Sequence, residues 1–592
     1  MQRNFEPMKN HVEVWKVTRL TFRCDPCPCA DFSARYCEVG EPGRCVTMLT
    51  NDWKRRDFIT TLLAGVGAGT LDWDVLPRAH AAPSNTGSYD AVVIGSGLGG
   101  LSCAAAFARQ GFKPLVLEQH DKPGGYATAF QRPGGFEFDV SLHSTGAGER
   151  NGLHNLIPGF PEIKSVEFVP HPTLYRAIFP QHDYRVPNRN LPAYVERLKK
   201  DFPSEAQGID ALFGEMKGVT EEIRRLSSSK GSVDMSRFPA EFPHVVRFSA
   251  ATWGQIVDAH LKDPRLKGII SAQWAYYGLP PSRLASIYYA MPYYSYLIGG
   301  GFYPRGRSQN ISNALTAFIE ERGGKVQLNT RVAKILVKEE QAYGVETAAG
   351  QEFLGRVVVS NANAYDTFHA LLEKDDHLHD YLARMDTFSV SLSCFQVFLG
   401  LKSDLVRESA VTDAEIFYHS SYDPEAAYQS ARAADVSQPG FCLALYDNLY
   451  PGYSPKGKNT MNLLVLQGYD HWKPYEADYW RGNKAAYQAE KSRLAAILIQ
   501  QVEKTLLPGL SKAIEIQEVG TPLTNVRYTG NYRGAIYGWD QTLDNSNPRR
   551  LPHSTPIKNL YLAGAWTSPG HGYGGVISSG LECFGEIMKS WA

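Results

Sequence analysis

The 592-residue sequence has no excess of charge, with 61 Lys plus Arg against 61 Asp plus Glu, so its summed field offers nucleic acid or acidic membranes no long-range attraction. Nucleic-acid binding is set aside. Cysteine is scarce where a disulfide framework would need it: five of nine (Cys24, Cys27, Cys29, Cys37, Cys45) crowd into the first 45 residues, and Cys103, Cys394, Cys442 and Cys583 stand singly. Cys24, Cys27 and Cys29 spell Cys-x-x-Cys-x-Cys, but no second paired set follows to close a tetrahedral site. Asp375-Asp376-His377-Leu378-His379-Asp380 reads as a solvated charged run. No metal is expected. No repeat or low-complexity tract interrupts the chain, and 43% hydrophobic with 21% charged residues suits roughly two to four globular domains.

Long apolar runs are also missing. The stretch Thr61 to Leu71 falls short of the roughly 20 residues that span a bilayer, and glycines interrupt it. It follows Lys54-Arg55-Arg56-Asp57-Phe58-Ile59 and precedes Ala79-His80-Ala81, a pattern similar to a bacterial twin-arginine signal. Residues 48–81 are therefore read as the signal, residues 1–47 as a non-native leader, and Ala82 as the mature start. The expected location is periplasmic, with a cytoplasmic, membrane-associated protein as the alternative.

Past a polar linker, Ala91-Val92-Val93-Ile94 reads as a buried strand, Leu98 to Arg109 as a helix and Pro114 to Leu117 as a second strand. Gly95-Ser96-Gly97-Leu98-Gly99-Gly100 joins the first two as G-x-G-x-x-G, and Glu118 stands eighteen residues beyond Gly100. Gly95 permits the tight turn, Gly97 admits a pyrophosphate to the backbone beside Ser96, and Gly100 allows close packing; Glu118 can accept from ribose hydroxyls. The helix start supplies N–H donors and positive dipole. By contrast, Gly65-Val66-Gly67-Ala68-Gly69 lies inside the signal with no following strand. Residues 151 to 267 read as mostly helical. Gly268 to Pro304 is nearly uncharged and rich in Trp274, Tyr276, Tyr277, Tyr288, Tyr289, Tyr293, Tyr294 and Tyr296, which suits an apolar channel, a peripheral membrane contact or a buried aromatic core.

The fingerprint alone does not separate NAD from FAD. Pro123-Gly124-Gly125-Tyr126-Ala127-Thr128, Gly299-Gly300-Gly301-Phe302-Tyr303-Pro304 and Val359-Ser360-Asn361-Ala362 resemble recurring elements of the flavin amine oxidase and phytoene desaturase superfamily over nearly all of residues 89–592. Phe138-Asp139-Val140-Ser141-Leu142-His143 and Tyr303-Pro304-Arg305-Gly306 look most like its retinol saturase and carotenoid isomerase branch, although Arg307 stands where that branch usually has a second glycine. The resemblance implies FAD, with Gly124 and Gly125 against the flavin and its phosphates and the Val332 backbone against the adenine. In the C-terminal segment, Gly564 lets backbone approach a cofactor, and the helix start at Gly575 and Val576 would point its dipole at the flavin N1 and C2 carbonyl.

The expected fold is α/β: a Rossmann-like βαβ FAD domain assembled from residues 82–150, 299–365 and 525–592, with a mixed α+β substrate domain from 151–298 and 366–524. The resemblance implies desaturation, saturation or isomerisation of a long apolar conjugated substrate, carotenoid- or retinoid-like. An exported amine oxidase or dehydrogenase, and a flavin scaffold without turnover, are the alternatives. His143 and Tyr573 are the catalytic candidates. With no second G-x-G-x-x-G between strand and helix, the expected electron acceptor is oxygen, a quinone or a cytochrome.

Overall fold

The computed structural model describes residues 88–592 except 142–143, 147–156, 158–159, 161, 164–165, 229–233, 235, 374–375, 438–439, 547–548 and 592. The leader and signal expected at residues 1–81, and His143, lie outside the described residues.

Two sheets organise the described chain. The first runs in the order Val332–Lys338, Gln341–Thr347, Glu352–Ser360, Tyr89–Ile94, Pro114–Leu117, Lys325–Gln327, with Leu560–Leu562 joined to Glu352–Ser360. Pairing among Tyr89–Ile94, Pro114–Leu117, Lys325–Gln327, the second half of Glu352–Ser360 and Leu560–Leu562 is parallel. The near-continuous apolar runs follow, because a parallel sheet is covered on both faces. The helix Leu98–Arg109 is buried from Leu98 to Ala108 and packs along Tyr573–Trp591. Three distant stretches thus meet with the ends of their parallel strands side by side, where α/β sheets bind ligands.

The second sheet runs Ile514–Gly520, Ser393–Leu401, Asn459–Gln467, Phe441–Ala444, Glu415–Tyr418, Thr173–Ile178, Asp183–Pro187. Every residue of Ser393–Leu401 and Asn459–Gln467 is buried. One face, with Phe395, Ile416, Leu443 and Val465, packs on the helix Ala485–Thr505. The other, with Cys394, Phe417, Cys442 and Leu464, packs on the helices between Leu191 and Gly299. Residues 151–267, expected to be mostly helical, are so from Leu191 onward, but Phe168–Pro170, Thr173–Ile178 and Asp183–Pro187 before it are strands. Thr173–Ile178 gains its partner from Glu415–Tyr418, some 240 residues away, which no local pattern announces.

The aromatic stretch divides. Trp274, Tyr289, Tyr293 and Tyr294 are buried core, whereas Tyr276, Tyr277, Tyr288 and Tyr296 keep part of their surface. Pro292 sits inside the helix Ser286–Gly299, and no described helix is long and apolar enough to cross a membrane.

Candidate cofactor site and its chamber

The first turn does what its glycines permit. Gly95 has φ +90°, a conformation disfavoured for other residues, and turns the chain from strand into helix. Gly97 bridges Gly124, whose N–H donates to the Ser96 carbonyl at 2.9 Å. A Cβ on Gly97 would stand 2.8 Å from Asn361 Nδ2, and one on Gly99 would stand 2.7 Å from Asn361 Oδ1 and 2.9 Å from the Gly564 backbone. The fingerprint, the paired glycines, Asn361 and Gly564 therefore converge on one spot. Sequence reading passed over Asn361 as an individual site residue, although its place at the carboxyl end of a parallel strand was the available signal.

Glu118 sits beside that spot, 8% exposed. Its Oε2 accepts from Ser96 N at 2.8 Å and Ser96 Oγ at 2.7 Å, and its Oε1 accepts from His120 N at 2.8 Å. A carboxylate offers about four lone-pair sites, so about one remains for an outside hydroxyl. Ser96 thus positions Glu118 through backbone and side chain together. Thr330 N donates to the Glu118 carbonyl at 2.7 Å, which brings Val332 to the same end of the sheet.

The far end is the start of Tyr573–Trp591. Cβ atoms on Gly572 or Gly574 would meet nothing within 4 Å, so open space lies against the first turn of a 19-residue helix carrying Gly575 and Val576. Gly564 N donates to Ser579 Oγ at 2.9 Å, tying strand end to helix. Tyr573 faces Ser141, Ser308 and Asp139 with its hydroxyl buried and, among the described residues, making no hydrogen bond of ordinary geometry, and burial pushes its phenol well above the usual range, so it stays protonated. Asp139 accepts from Tyr303 OH at 2.6 Å, from Ser308 N at 2.9 Å and from Ser308 Oγ. Burial raises its pKa, and these donors oppose the shift.

Beside the helix start, burial lowers His571 to about 3, so the ring is neutral. Its Nδ1 is buried without a hydrogen-bond partner. The ring lies 4.4 Å from Tyr537 and 6.0 Å from Tyr288, centroid to centroid. Tyr276, Tyr277, Tyr288, Tyr296 and Tyr537 are half-buried, and desolvation raises every one of their phenols. A separate cavity of about 630 Å³ opens between Tyr126, Phe130, Gln396, Phe398 and Lys491, with Glu118 at one end. Among the described residues, no cluster of three His, Cys, Asp or Glu side chains is placed to hold a metal.

These features fit a dinucleotide laid from Glu118 to Gly575: an acceptor at one end, a backbone free of Cβ atoms in the middle, and an open helix N-terminus with an orphaned His571 nitrogen at the other. Comparison with known proteins agrees. Residues 98–587 match the family of flavin containing amine oxidoreductases. Prolycopene isomerase 1 of an Oncidium hybrid cultivar is 27% identical over 536 residues, covering 86% of each chain. Human all-trans-retinol 13,14-reductase is 28% identical over 550 residues, covering 87% of this chain and 88% of its own. An oxidoreductase from Methanosarcina mazei of known structure shares the fold, with a TM-score of 0.54 at 15% identity over 84% of this chain and 99% of its own. The chain belongs to the flavin containing amine oxidoreductases, and it is an FAD-dependent oxidoreductase.

Proposed function

We propose that this flavoenzyme desaturates, saturates or isomerises a long conjugated hydrocarbon of the carotenoid or retinoid class. The observation that carries the reading is that relatives matching most of the chain are named for prolycopene and all-trans-retinol, both polyenes. The half-buried tyrosines gathered beside His571 support it, because a polyene needs an extended apolar surround with little charge.

When bound, FAD supplies a two-electron acceptor or donor for hydride. The chain's own residues do the rest. Glu118, Gly97, Gly124, Gly125 and the Val332 backbone would hold the adenosine and pyrophosphate, and Gly564, Gly575 and Val576 the flavin end. Neutral His571 and protonated Tyr573 border that end without bringing a charge to it. His143 keeps its candidacy from the sequence alone. Oxygen, a quinone or a cytochrome is the proposed electron acceptor, and peripheral contact with a membrane the proposed source of so apolar a substrate. Export through the twin-arginine signal completes the reading.

The test is anaerobic titration of the oxidised and chemically reduced enzyme with carotenoids, retinoids, polyamines and aromatic amines. Polyene conversion in one redox state is expected. Flavin reduction by amines alone, with no polyene converted in either state, would assign the protein to amine oxidation instead.

A further inference from the structure

Glu415 opens the strand Glu415–Tyr418 and is 1% exposed. Side chains alternate along a strand. Ile416 packs behind the sheet with Phe395 and Leu443, so Glu415 and Phe417 look out of the opposite face, towards the aromatic segment. Facing Glu415 there are the titratable groups Tyr276, Tyr296, Tyr446 and Cys442, with no cation among them. Among the described residues, neither carboxyl oxygen makes a hydrogen bond of ordinary geometry, and the Tyr276 phenol is the group that opposes its desolvation.

Among the described residues, the other buried acids have partners: Glu118 accepts from Ser96, Asp139 holds Tyr303 and Ser308, Glu205 accepts from Lys262 N and Asp263 N, Glu222 from Val245 N, Asp413 pairs with Arg176 and Arg185, and Asp540, one of whose oxygens is also unpaired, accepts from Ser389 Oγ and lies 3.8 Å from Arg283. A buried polar group lacking such a partner costs stability and calls for another explanation. Burial pushes the Glu415 carboxyl up to about 8, so at neutral pH it is an uncharged acid carrying a proton. Tyr276 links it to the cofactor end, because His571 hydrogen-bonds the Tyr276 backbone.

We propose that Glu415 is the catalytic acid–base among these tyrosines, giving a proton to one carbon of a conjugated C=C bond and taking one back after the chain has rotated. The inference rests on the polyene reading above. As the proton moves, the Glu415 O–H bond breaks and a C–H bond forms from the π pair, leaving a carboxylate and a cation spread along the polyene. The faces of Tyr276 and Tyr296 are suited to stabilise that cation. With double-bond order reduced, the bond rotates; return of a proton from carbon to Glu415 restores the alkene in its new geometry. No electron is gained or lost.

The experiment uses FAD-loaded full-length enzyme, oxidised and dithionite-reduced, with prolycopene in D2O over many turnovers. Isomers are separated by chromatography and deuterium is counted by mass spectrometry. The wild type is expected to isomerise the polyene with deuterium incorporation and to lose activity as pH rises through about 8. Glu415→Gln is expected to lose about a hundredfold or more in both readouts while keeping its flavin absorbance, and Glu415→Asp to recover part of the loss. Wild-type-like turnover in Glu415→Gln would overturn the assignment, as would wild-type isomerisation without deuterium uptake, a result that holds even if the variant fails to fold. A wild type that converts no polyene in either state overturns the substrate reading itself, and this inference with it.

Discussion

Gly580 lies so close to Gly99 that a Cβ added at 580 would stand 2.1 Å from the Gly99 carbonyl oxygen and 2.2 Å from Ser102 Oγ. This contact joins the helix that begins at the fingerprint to the helix that begins at Tyr573. Gly580→Val should force the two apart and destabilise the protein by about 1–3 kcal/mol, with flavin content falling because both helices start at the cofactor. Thermal melting and the ratio of flavin to protein absorbance measure the two effects. Unchanged values in both would mean that the helices can separate without consequence.

Gly97→Ala should yield protein that loses its yellow colour on dialysis, since the new Cβ intrudes where Gly97, Asn361 and Gly564 converge. Two causes are separable. If the loss comes only from the Asn361 amide at 2.8 Å, then Gly97→Ala combined with Asn361→Ala should regain FAD. If the Cβ blocks the pyrophosphate itself, the double variant should stay colourless.

Glu415 should also make stability depend on pH. Its pKa is raised from 4.5 to about 8 in the folded protein, so between these values the unfolded chain has released a proton that the native state still holds. Fewer protons bound in the unfolded state means stability that falls as pH rises, with a slope approaching about 1.4 kcal/mol per pH unit from this group. Below about pH 4.5 both states are protonated and the penalty vanishes. Denaturant melts of wild type and Glu415→Gln from pH 5 to 8 should converge at the acid end and separate at the alkaline end, with the wild type the less stable. Parallel curves would show that the carboxyl ionises freely in the fold.

Stopped-flow mixing of the oxidised enzyme with NADH or NADPH should leave the flavin oxidised on the timescale of turnover, because no second dinucleotide fingerprint stands between strand and helix. Fast bleaching by either would refute a non-nicotinamide partner.

If the proposed export holds, replacing Arg55 and Arg56 with Lys should hold the protein in the cytoplasm of its native host, whereas the wild type is expected to be exported already folded around FAD. N-terminal sequencing of the mature protein checks the expected start at Ala82. An unprocessed cytoplasmic wild type would remove export from the proposal.

What the sequence determined by itself was local. The turn at Gly95, the buried strands on either side and Glu118 all fall within 30 residues, and their spacing is dictated by one strand, one turn and one helix. Such short-range geometry is written in residue order. The division of the aromatic stretch was not, because neighbouring tyrosines have the same composition whether they fill a core, like Tyr289 and Tyr293, or stay half-buried, like Tyr276 and Tyr296. Asn361 enters the site from a strand more than 240 residues beyond the fingerprint, and Thr173–Ile178 becomes a strand of the second sheet by pairing with a partner equally remote. Glu415 was invisible for the same reason: a lone glutamate at the start of a short strand reads as surface. Only tertiary packing, by setting it against tyrosines with no cation facing it among the described residues, turned it into a neutral buried acid.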